Sequence, residues 1–145
     1  MIRNESEYRE ALTRMEEERK RLADHRARLK HTGLSQQEVK RVMYPMESFQ
    51  LQLREEVEGY ERVRRGEFQE LENFEGFGQL LISLRIAQGM SQRELARRLN
   101  VHESQVSRDE RNEYFGVTVE RVVRILDALQ VRLYAKVEVP VASAR

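Results

Sequence analysis

The sequence predicts an all-α fold with one short β-strand at its C-terminal end, and three patterns lead to this prediction. Apolar side chains recur at helical spacing along two long stretches before residue 66. The same spacing recurs in shorter stretches between residues 77 and 130. Residues 131–139 instead alternate between apolar and polar side chains, as in a half-buried strand. We therefore divide the chain into a helical hairpin (1–66), a linker (67–76), a helical domain (77–130), and a C-terminal strand and tail (131–145).

Composition restricts the class of protein before any motif is considered. The chain has 145 residues, of which 35% are charged and 39% hydrophobic, and its net charge is +1. That length accommodates one or two small domains. The absence of cysteine excludes disulfides and thiolate metal sites, and no apolar run is long enough for a signal peptide or a membrane span. We therefore expect a cytoplasmic protein.

The first helix of the hairpin is predicted over residues 4–30. Asn4 is a suitable N-cap, and neither glycine nor proline interrupts the segment. Its narrow apolar stripe repeats every seven residues, at Tyr8, Met15, Leu22 and Leu29. Gly33 supplies the turn that follows, and Ser35 with Glu38 has the spacing of a capping box. The sequence therefore places the start of a second helix directly after this turn.

The second helix of the hairpin is expected to break or restart at Pro45, because the residue before a proline avoids the α region. Beyond it the apolar positions again share one helical face: Met46, Phe49, Leu53, Val57, Tyr60 and Val63. Two complementary stripes and a short joint predict an antiparallel αα-hairpin. An isolated hairpin buries too little surface to be stable alone, so a second copy, the helical domain or another protein must cover it.

The stretch from Ser91 to Glu110 has the pattern of two short helices joined by a tight corner. Ser91 and Glu94 have the spacing of a capping box in which each side chain satisfies a backbone N–H. Asn100 ends the first helix, since asparagine tolerates the positive φ that the corner needs. The second helix points Val106 inward and mostly polar side chains outward. This pattern predicts a helix-turn-helix, whose second helix lies in the DNA major groove.

The same stretch resembles the XRE (Cro and lambda-repressor-like) family of DNA-binding domains. The matching positions are Gly89-Met90-Ser91-Gln92, Leu95-Ala96, Leu99-Asn100-Val101, Val106-Ser107-Arg108 and Glu110. The resemblance extends over roughly residues 77–133 and implies a lambda-repressor-like helical domain that binds double-stranded DNA. The structural alternative is a pair of packed helices without a role in DNA binding. The outer face of the second helix disfavours it, because that face lacks the usual Glu/Lys mixture.

The resemblance also implies which residues contact DNA. We expect Ser104, Gln105 and Arg108 to reach base edges, with Glu103 able to accept from a cytosine amino group. For Arg108, a phosphate contact is the alternative. Residues at the start of the first motif helix and after the second one are expected to flank the groove at the phosphates. The complete predicted DNA-binding set is Ser91, Gln92, Arg93, His102, Glu103, Ser104, Gln105, Ser107, Arg108, Arg111 and Asn112.

Two further positions match a structural pair of the family. Arg85 and Glu110 are expected to form a partly buried ion pair that ties the first helix of the domain to the end of the recognition helix. Two positions depart from the family pattern. Arg111 stands where the family often has asparagine, and Asp109 occupies a position that is usually apolar.

The C-terminal alternation predicts a partner. A lone strand leaves N–H and C=O groups unpaired on both edges, so we expect the same strand of a second copy to pair with it across a two-fold axis. The dimerisation residues are then Val131, Leu133, Ala135, Val137 and Val139. A dimer also suits a helix-turn-helix, which usually reads two half-sites. This arrangement leaves the hairpin available for another protein.

A second resemblance concerns that other protein. Glu7-Tyr8-Arg9-Glu10-Ala11-Leu12 and Gly59-Tyr60-Glu61 resemble antitoxins of host-inhibition toxin–antitoxin pairs, which place a helical segment ahead of an XRE-type domain. The resemblance implies a toxin as partner of the hairpin. It does not alter the expected DNA-binding role of the other domain.

These observations together predict a DNA-binding transcriptional regulator, a homodimeric repressor at a palindromic operator. Two alternatives stay open: an antitoxin that also represses its own operon, and a helical interaction protein that does not bind DNA. An enzyme is not expected, because the three histidines lack metal-ligand spacing and no phosphate loop or nucleophile motif is present. We accordingly expect no catalytic residues, no metal and no cofactor.

Overall fold

A computed structural model describes residues 1–142, which form six α-helices and no β-strand within that range. The helices are α1 (Glu5–Leu29), α2 (Gln36–Arg64), α3 (Phe77–Ala87), α4 (Gln92–Leu99), α5 (Glu103–Arg111) and α6 (Val119–Ala128). The predicted all-α class is therefore confirmed for this part of the chain. None of these helices combines the length and the apolar character that crossing a membrane would require.

Helices α1 and α2 pack against each other as a hairpin, and side chains fix where each helix begins. The Asn4 carboxamide oxygen accepts from the backbone N–H of Glu7 at 2.9 Å, which caps α1. At the start of α2 the capping box is complete: the Ser35 hydroxyl accepts from the Glu38 N–H at 3.2 Å. In return, the Glu38 carboxylate accepts from the Ser35 N–H at 2.9 Å. The capping spacings of the sequence therefore locate both N-termini correctly.

The predicted break at Pro45 is wrong, because α2 continues through the proline as one helix. A proline inside a helix removes one backbone hydrogen bond and crowds the preceding turn. Packing on both sides of it opposes that loss. Met43 is only 1% exposed and Met46 packs beside it, in a cluster with Leu22 and Leu29 of α1. The partner helix thus holds α2 helical on both sides of Pro45.

The base of the hairpin and the helical domain share one hydrophobic core. Val57 and Tyr60 of α2 are buried in the same cluster as Leu81 and Ile82 of α3, and Ile2 joins them from the segment before α1. Of the three possible partners that the sequence left open, the helical domain is therefore the one that covers the base of the hairpin. The hairpin is thereby attached through packing as well as through the linker.

A ring stack and a hydrogen bond reinforce the base of the hairpin. Tyr8 of α1 stacks on Tyr60 of α2 with ring centroids 4.9 Å apart. The Tyr8 hydroxyl donates to the Glu61 carboxylate at 2.7 Å, and this bond raises the pKa of Tyr8. Nearby, Arg64 pairs with Glu5 at 2.8 Å. These contacts fix the N-terminal end of α1 against the end of α2.

The predicted C-terminal strand is wrong for the described chain, because residues 131–142 have no regular secondary structure. A strand needs a neighbour that pairs with its N–H and C=O groups, and the described residues contain no other strand. Most of the side chains that the alternation marked as half-buried are exposed, with Val137 at 81% and Val139 at 73%, whereas Val131 is partly buried against the core of the helical domain. Residues 143–145 of the predicted tail lie outside the described residues.

Candidate nucleic-acid interface

Helices α4 and α5 form two short helices with a tight corner between them. The corner residue Asn100 has φ of 56°, and the N–H of Val101 donates to the carbonyl of Ala96 at 3.0 Å. Inside the angle, Leu95, Ala96 and Val106 are buried at 2% exposure or less. The small Ala96 side chain allows the two helices to approach closely. This local geometry is that of a helix-turn-helix.

The capping of α4 differs in one respect from the prediction. The Ser91 hydroxyl accepts from the Glu94 N–H at 3.0 Å, as expected. The reciprocal bond does not form, because the Glu94 carboxylate instead accepts from Arg97 at 2.7 Å and from Arg98 at 3.0 Å. Two guanidinium groups one turn away offer a stronger, charge-assisted partner than a neutral backbone N–H. Only half of the predicted capping box is therefore present.

The bonds from Arg97 and Arg98 predict that the Glu94 carboxylate titrates at an unusually low pH. Hydrogen bonds from Arg97 and Arg98 lower the pKa of Glu94 from 4.5 to about 2. Because the folded pKa is depressed, the stabilisation is complete above about pH 4.5 and is lost as the pH falls through about 2. Carboxyl-detected NMR titration should show this low midpoint. In an Arg97→Met/Arg98→Met variant the midpoint should return towards its ordinary value, and an unchanged midpoint would contradict the assigned bonds.

The outer face of α5 is polar and open to solvent. Its exposed side chains are Glu103, Ser104, Arg108 and Arg111, and Asn112 follows at the C-cap. Gln105 and Ser107 are half-buried at the edges of this face. On α4, Arg93 is exposed and Gln92 is half-buried, beside the exposed cap residue Ser91. The predicted DNA-binding residues therefore lie on α5 and at the start of α4.

A buried ion pair joins α3 to α5. The Arg85 guanidinium forms a two-pronged contact with the Glu110 carboxylate, through Nε and through Nη2, the latter at 2.9 Å. Both side chains are almost fully buried, with exposures of 4% and 0%. Arg85 Nη1 also donates to the carbonyl of Met90 at 2.7 Å. The pair thus fixes the end of α5 relative to α3 and to the segment that leads into α4.

The sequence of this part of the chain matches a family model described as helix-turn-helix, over residues 81–135. Residues 81–135 are a helix-turn-helix domain. The match confirms the resemblance to XRE and lambda-repressor-like domains drawn from Gly89–Glu110. The fold is that of DNA-binding regulators. No curated protein and no solved structure matches the chain.

His102 has a role in the helix-turn-helix domain that the sequence did not reveal. Its Nδ1 accepts from the backbone N–H of Ser104 at 3.1 Å, and the ring therefore caps the start of α5. The same nitrogen lies 2.8 Å from the Ser104 hydroxyl. A histidine is not a usual capping residue, so composition gave no signal for this contact. The contact also orients Ser104, a residue predicted to reach base edges.

A chain of polar contacts orients side chains on the outer face of α5. Gln105 Nε2 donates to the Asp109 carboxylate at 3.1 Å, while Gln105 Oε1 accepts from Arg108 Nη2 at 3.3 Å. Asp109 is in turn paired with Arg121 of α6. This pairing explains why an acid is accommodated where the family pattern is usually apolar. Asp109 and Arg121 were not among the predicted site residues, although both help to position Gln105 and Arg108.

Gln92 connects the start of α4 to the buried ion pair. Its Nε2 donates to Glu110 Oε2 at 2.7 Å, so one of its two amide protons is directed into the protein. The carboxylate of Glu110 is therefore shared between Arg85 and Gln92. The predicted phosphate contact of Gln92 can use its backbone N–H in the first turn of α4 or its second amide proton. The position of Gln92 is thus fixed by the same group that fixes the end of α5.

Proposed function

We propose that the chain is a sequence-specific DNA-binding transcriptional regulator that reads its site with α5. The observation that carries this proposal is the exposed polar face of α5 within a helix-turn-helix domain. In that motif the second helix enters the major groove and its outward residues meet base edges. Ser104 and Arg108 are exposed on this face, and Gln105 lies at its edge. Gln105 donates to Asp109, which is paired with Arg121, and accepts from Arg108.

Each proposed contact follows from the chemistry of its side chain. Arg108 can donate two parallel bonds to the O6 and N7 atoms of guanine, and Gln105 can pair with adenine in a similar way. Glu103 can accept from a cytosine amino group. His102 and Ser107 are assigned to the same DNA-binding surface, beside these base-contacting residues. Contacts to phosphates on either side of the groove are assigned to Ser91, Gln92, Arg93, Arg111 and Asn112.

The expected consequence of Arg108→Ala is a loss of base discrimination. Removal of a two-pronged guanine contact should weaken binding to the operator by about 1–3 kcal/mol and relax the preference at one position. Fluorescence anisotropy on the operator and its single-base variants measures both effects. Arg54→Ala is a matched control, because Arg54 is exposed on α2, outside both the helix-turn-helix and the proposed dimer surface. An equal loss across all variants would assign Arg108 to a phosphate, and no loss would remove it from the interface.

The repressor is proposed to act as a homodimer at a palindromic operator. The exposed apolar side chains of α6 and of the segment after it support a second copy as partner. On α6, Val119 is 80% exposed and Val123 is 50% exposed. The proposed dimerisation residues in the following segment are Val131, Leu133, Ala135, Val137 and Val139, most of which are exposed. Exposed apolar side chains of this kind favour association.

Deletion of residues 131–145 tests this dimer. The truncated chain should sediment as a monomer and bind half-sites only weakly, because its proposed partner surface is removed. Sedimentation equilibrium gives the state of assembly, and circular dichroism verifies that α1 to α6 remain folded. If the truncated protein is still a dimer, a Tyr44→Glu/Leu51→Glu variant of the full chain shows whether the interface lies on the hairpin instead.

An antitoxin is the second candidate function, and one observation favours it. Tyr44 and Leu51 lie seven residues apart on one face of α2 and are 69% and 53% exposed. Two large apolar side chains exposed on one helical face are suited to a protein partner. A ribonuclease-like reading frame next to the gene would identify the toxin to test. Co-purification of its product with the wild-type chain, and its loss in Tyr44→Ala/Leu51→Ala, is the expected result.

A further inference from the structure

A cleft of about 360 Å³ lies where the hairpin, the linker and α3 meet. Three small residues line it: Gly59 of α2, Gly76 before α3, and Ser83 of α3. A side chain at position 59 would have room, since an added Cβ would meet only the Arg62 guanidinium, at 3.8 Å. The volume is at the lower end of the range for small-molecule sites. The two helices therefore share a core and still leave a space beside it.

The walls of this cleft combine apolar surface with negative charge. Ile2, Tyr60, Phe68 and Leu71 contribute apolar and aromatic surface. Among the charged side chains of the lining, Arg62 stands against four carboxylates, Glu56, Glu67, Glu70 and Glu75. One of these, Glu67, is already paired with Arg65 at 2.8 Å, which leaves an excess of negative charge on the other three. An anion would be repelled by this excess of negative charge. A cation would be attracted by the carboxylates. The ring of Phe68 is the aromatic surface open to it, because the Tyr60 ring stacks on Tyr8 and has Arg64 over it.

The wall of this cleft is connected to the residues that fix the end of α5. Ile2 forms part of its wall and is only 5% exposed. The next residue, Arg3, accepts through its carbonyl from Arg85 Nη2 at 3.2 Å. Arg85 in turn holds Glu110 at the end of α5. The main chain of Ile2 and Arg3 and the side chain of Arg85 thus connect the wall of the cleft to Glu110 at the end of α5.

We propose that this cleft binds a small amphipathic cation, an ammonium group on an apolar body, and that its occupation strengthens DNA binding. A ligand packed against Ile2 adds contacts to the segment before α1. It thereby favours the arrangement in which Arg3 accepts from Arg85. DNA must then strengthen ligand binding by the same factor. Only this coupling rests on the DNA-binding function proposed above, because binding in the cleft does not require DNA.

Protein NMR on the full chain tests the binding site without DNA. The probes are 4-phenylbutylammonium and 5-phenylpentanoate, which share a phenyl ring with four methylene groups and differ in the charge of the head group. The expected result is a set of amide shifts around Gly59, Leu71 and Ser83 with the ammonium alone. Gly59→Leu should abolish these shifts by filling the cleft, whereas Ser48→Leu, on an exposed face of the same helix, should keep them. Glu56→Gln/Glu75→Gln, which leaves the apolar walls intact, should weaken binding.

The outcomes are distinct. No shifts with the ammonium, equal shifts with both probes, or shifts that survive Gly59→Leu would overturn the site. For the coupling, saturating ammonium should lower the operator Kd about fivefold in wild type and leave it unchanged in Gly59→Leu. An unchanged Kd in wild type, with ammonium bound in the cleft, would overturn the coupling. Failure of the wild type to bind any operator would instead contradict the proposed function, with the NMR result unaffected.

Discussion

Replacement of Arg85 by methionine is expected to lower the free energy of unfolding by about 3–5 kcal/mol. The substitution keeps most of the apolar volume but leaves the Glu110 carboxylate buried without its cationic partner. Only Gln92 would still donate to that carboxylate, at 2.7 Å. The bonds from Arg85 to the carbonyls of Met90 and Arg3 are lost as well. DNA binding should weaken together with folding, because the end of α5 loses its anchor. Urea unfolding and anisotropy measure the two effects.

Two further variants separate a buried charge from a general effect of losing an arginine. Arg97→Met removes an arginine that pairs with Glu94 at 2.7 Å on the exposed face of α4. Because exposed ion pairs contribute little, this variant should leave the free energy of unfolding almost unchanged. Arg85→Met/Glu110→Leu replaces both buried charges by apolar groups and should recover much of the stability lost in Arg85→Met. Native stability and native affinity in Arg85→Met would show that the pair does not have this role.

Gly78→Ala is expected to have the second largest effect. Gly78 lies on α3 where the loop after α5 crosses it, and an added Cβ would come within 1.7 Å of the Glu113 carbonyl oxygen. That loop cannot easily withdraw, because Glu113 and the buried Tyr114 have φ of 52° and 54°. Overpacking of this kind should lower the free energy of unfolding by about 2–3 kcal/mol, as thermal and urea unfolding would show.

The same substitution elsewhere provides the control. Gly59→Ala also places an alanine in a helix, but there the nearest atom to the new Cβ is 3.8 Å away. Its expected effect has the opposite sign, a stabilisation of about 0.5–1 kcal/mol, because alanine favours the helix. If Gly78→Ala also stabilises the chain, the close approach of α3 and the loop is not as described.

The parts of the fold that the sequence predicts well are those encoded locally. Asn4, Ser35 and Asn100 mark helix ends by chemistry that involves only a few neighbouring residues, and each caps or ends a helix in the structure. The helix-turn-helix pattern is local in the same sense, because one corner and one buried face define it. Neighbouring side chains can nevertheless replace a locally encoded contact. The Glu94 carboxylate accepts from Arg97 and not, as the capping box would require, from the Ser91 N–H.

The parts that the sequence misses depend on residues far apart in the chain. Pro45 remains helical because α1 packs beside it, and the strand at residues 131–139 is absent because the described chain supplies no pairing edge. The need for glycine at position 78 follows from a carbonyl 35 positions later. In the candidate site, the pairing of Asp109 with Arg121 likewise requires α6 to bring Arg121 within reach of α5. The spacing of residues within a single helix carries no information about contacts of this kind.

The most direct test of the proposed function is selection of duplexes from a random pool by the full chain, followed by sequencing. The prediction is one enriched site with two-fold symmetry, whose half-sites lie about 10–10.5 base pairs apart or at a multiple of that distance. The same selection with Arg108→Ala should return the site with one position in each half relaxed. A pool that shows no enriched sequence after selection with folded wild-type protein would contradict sequence-specific DNA binding.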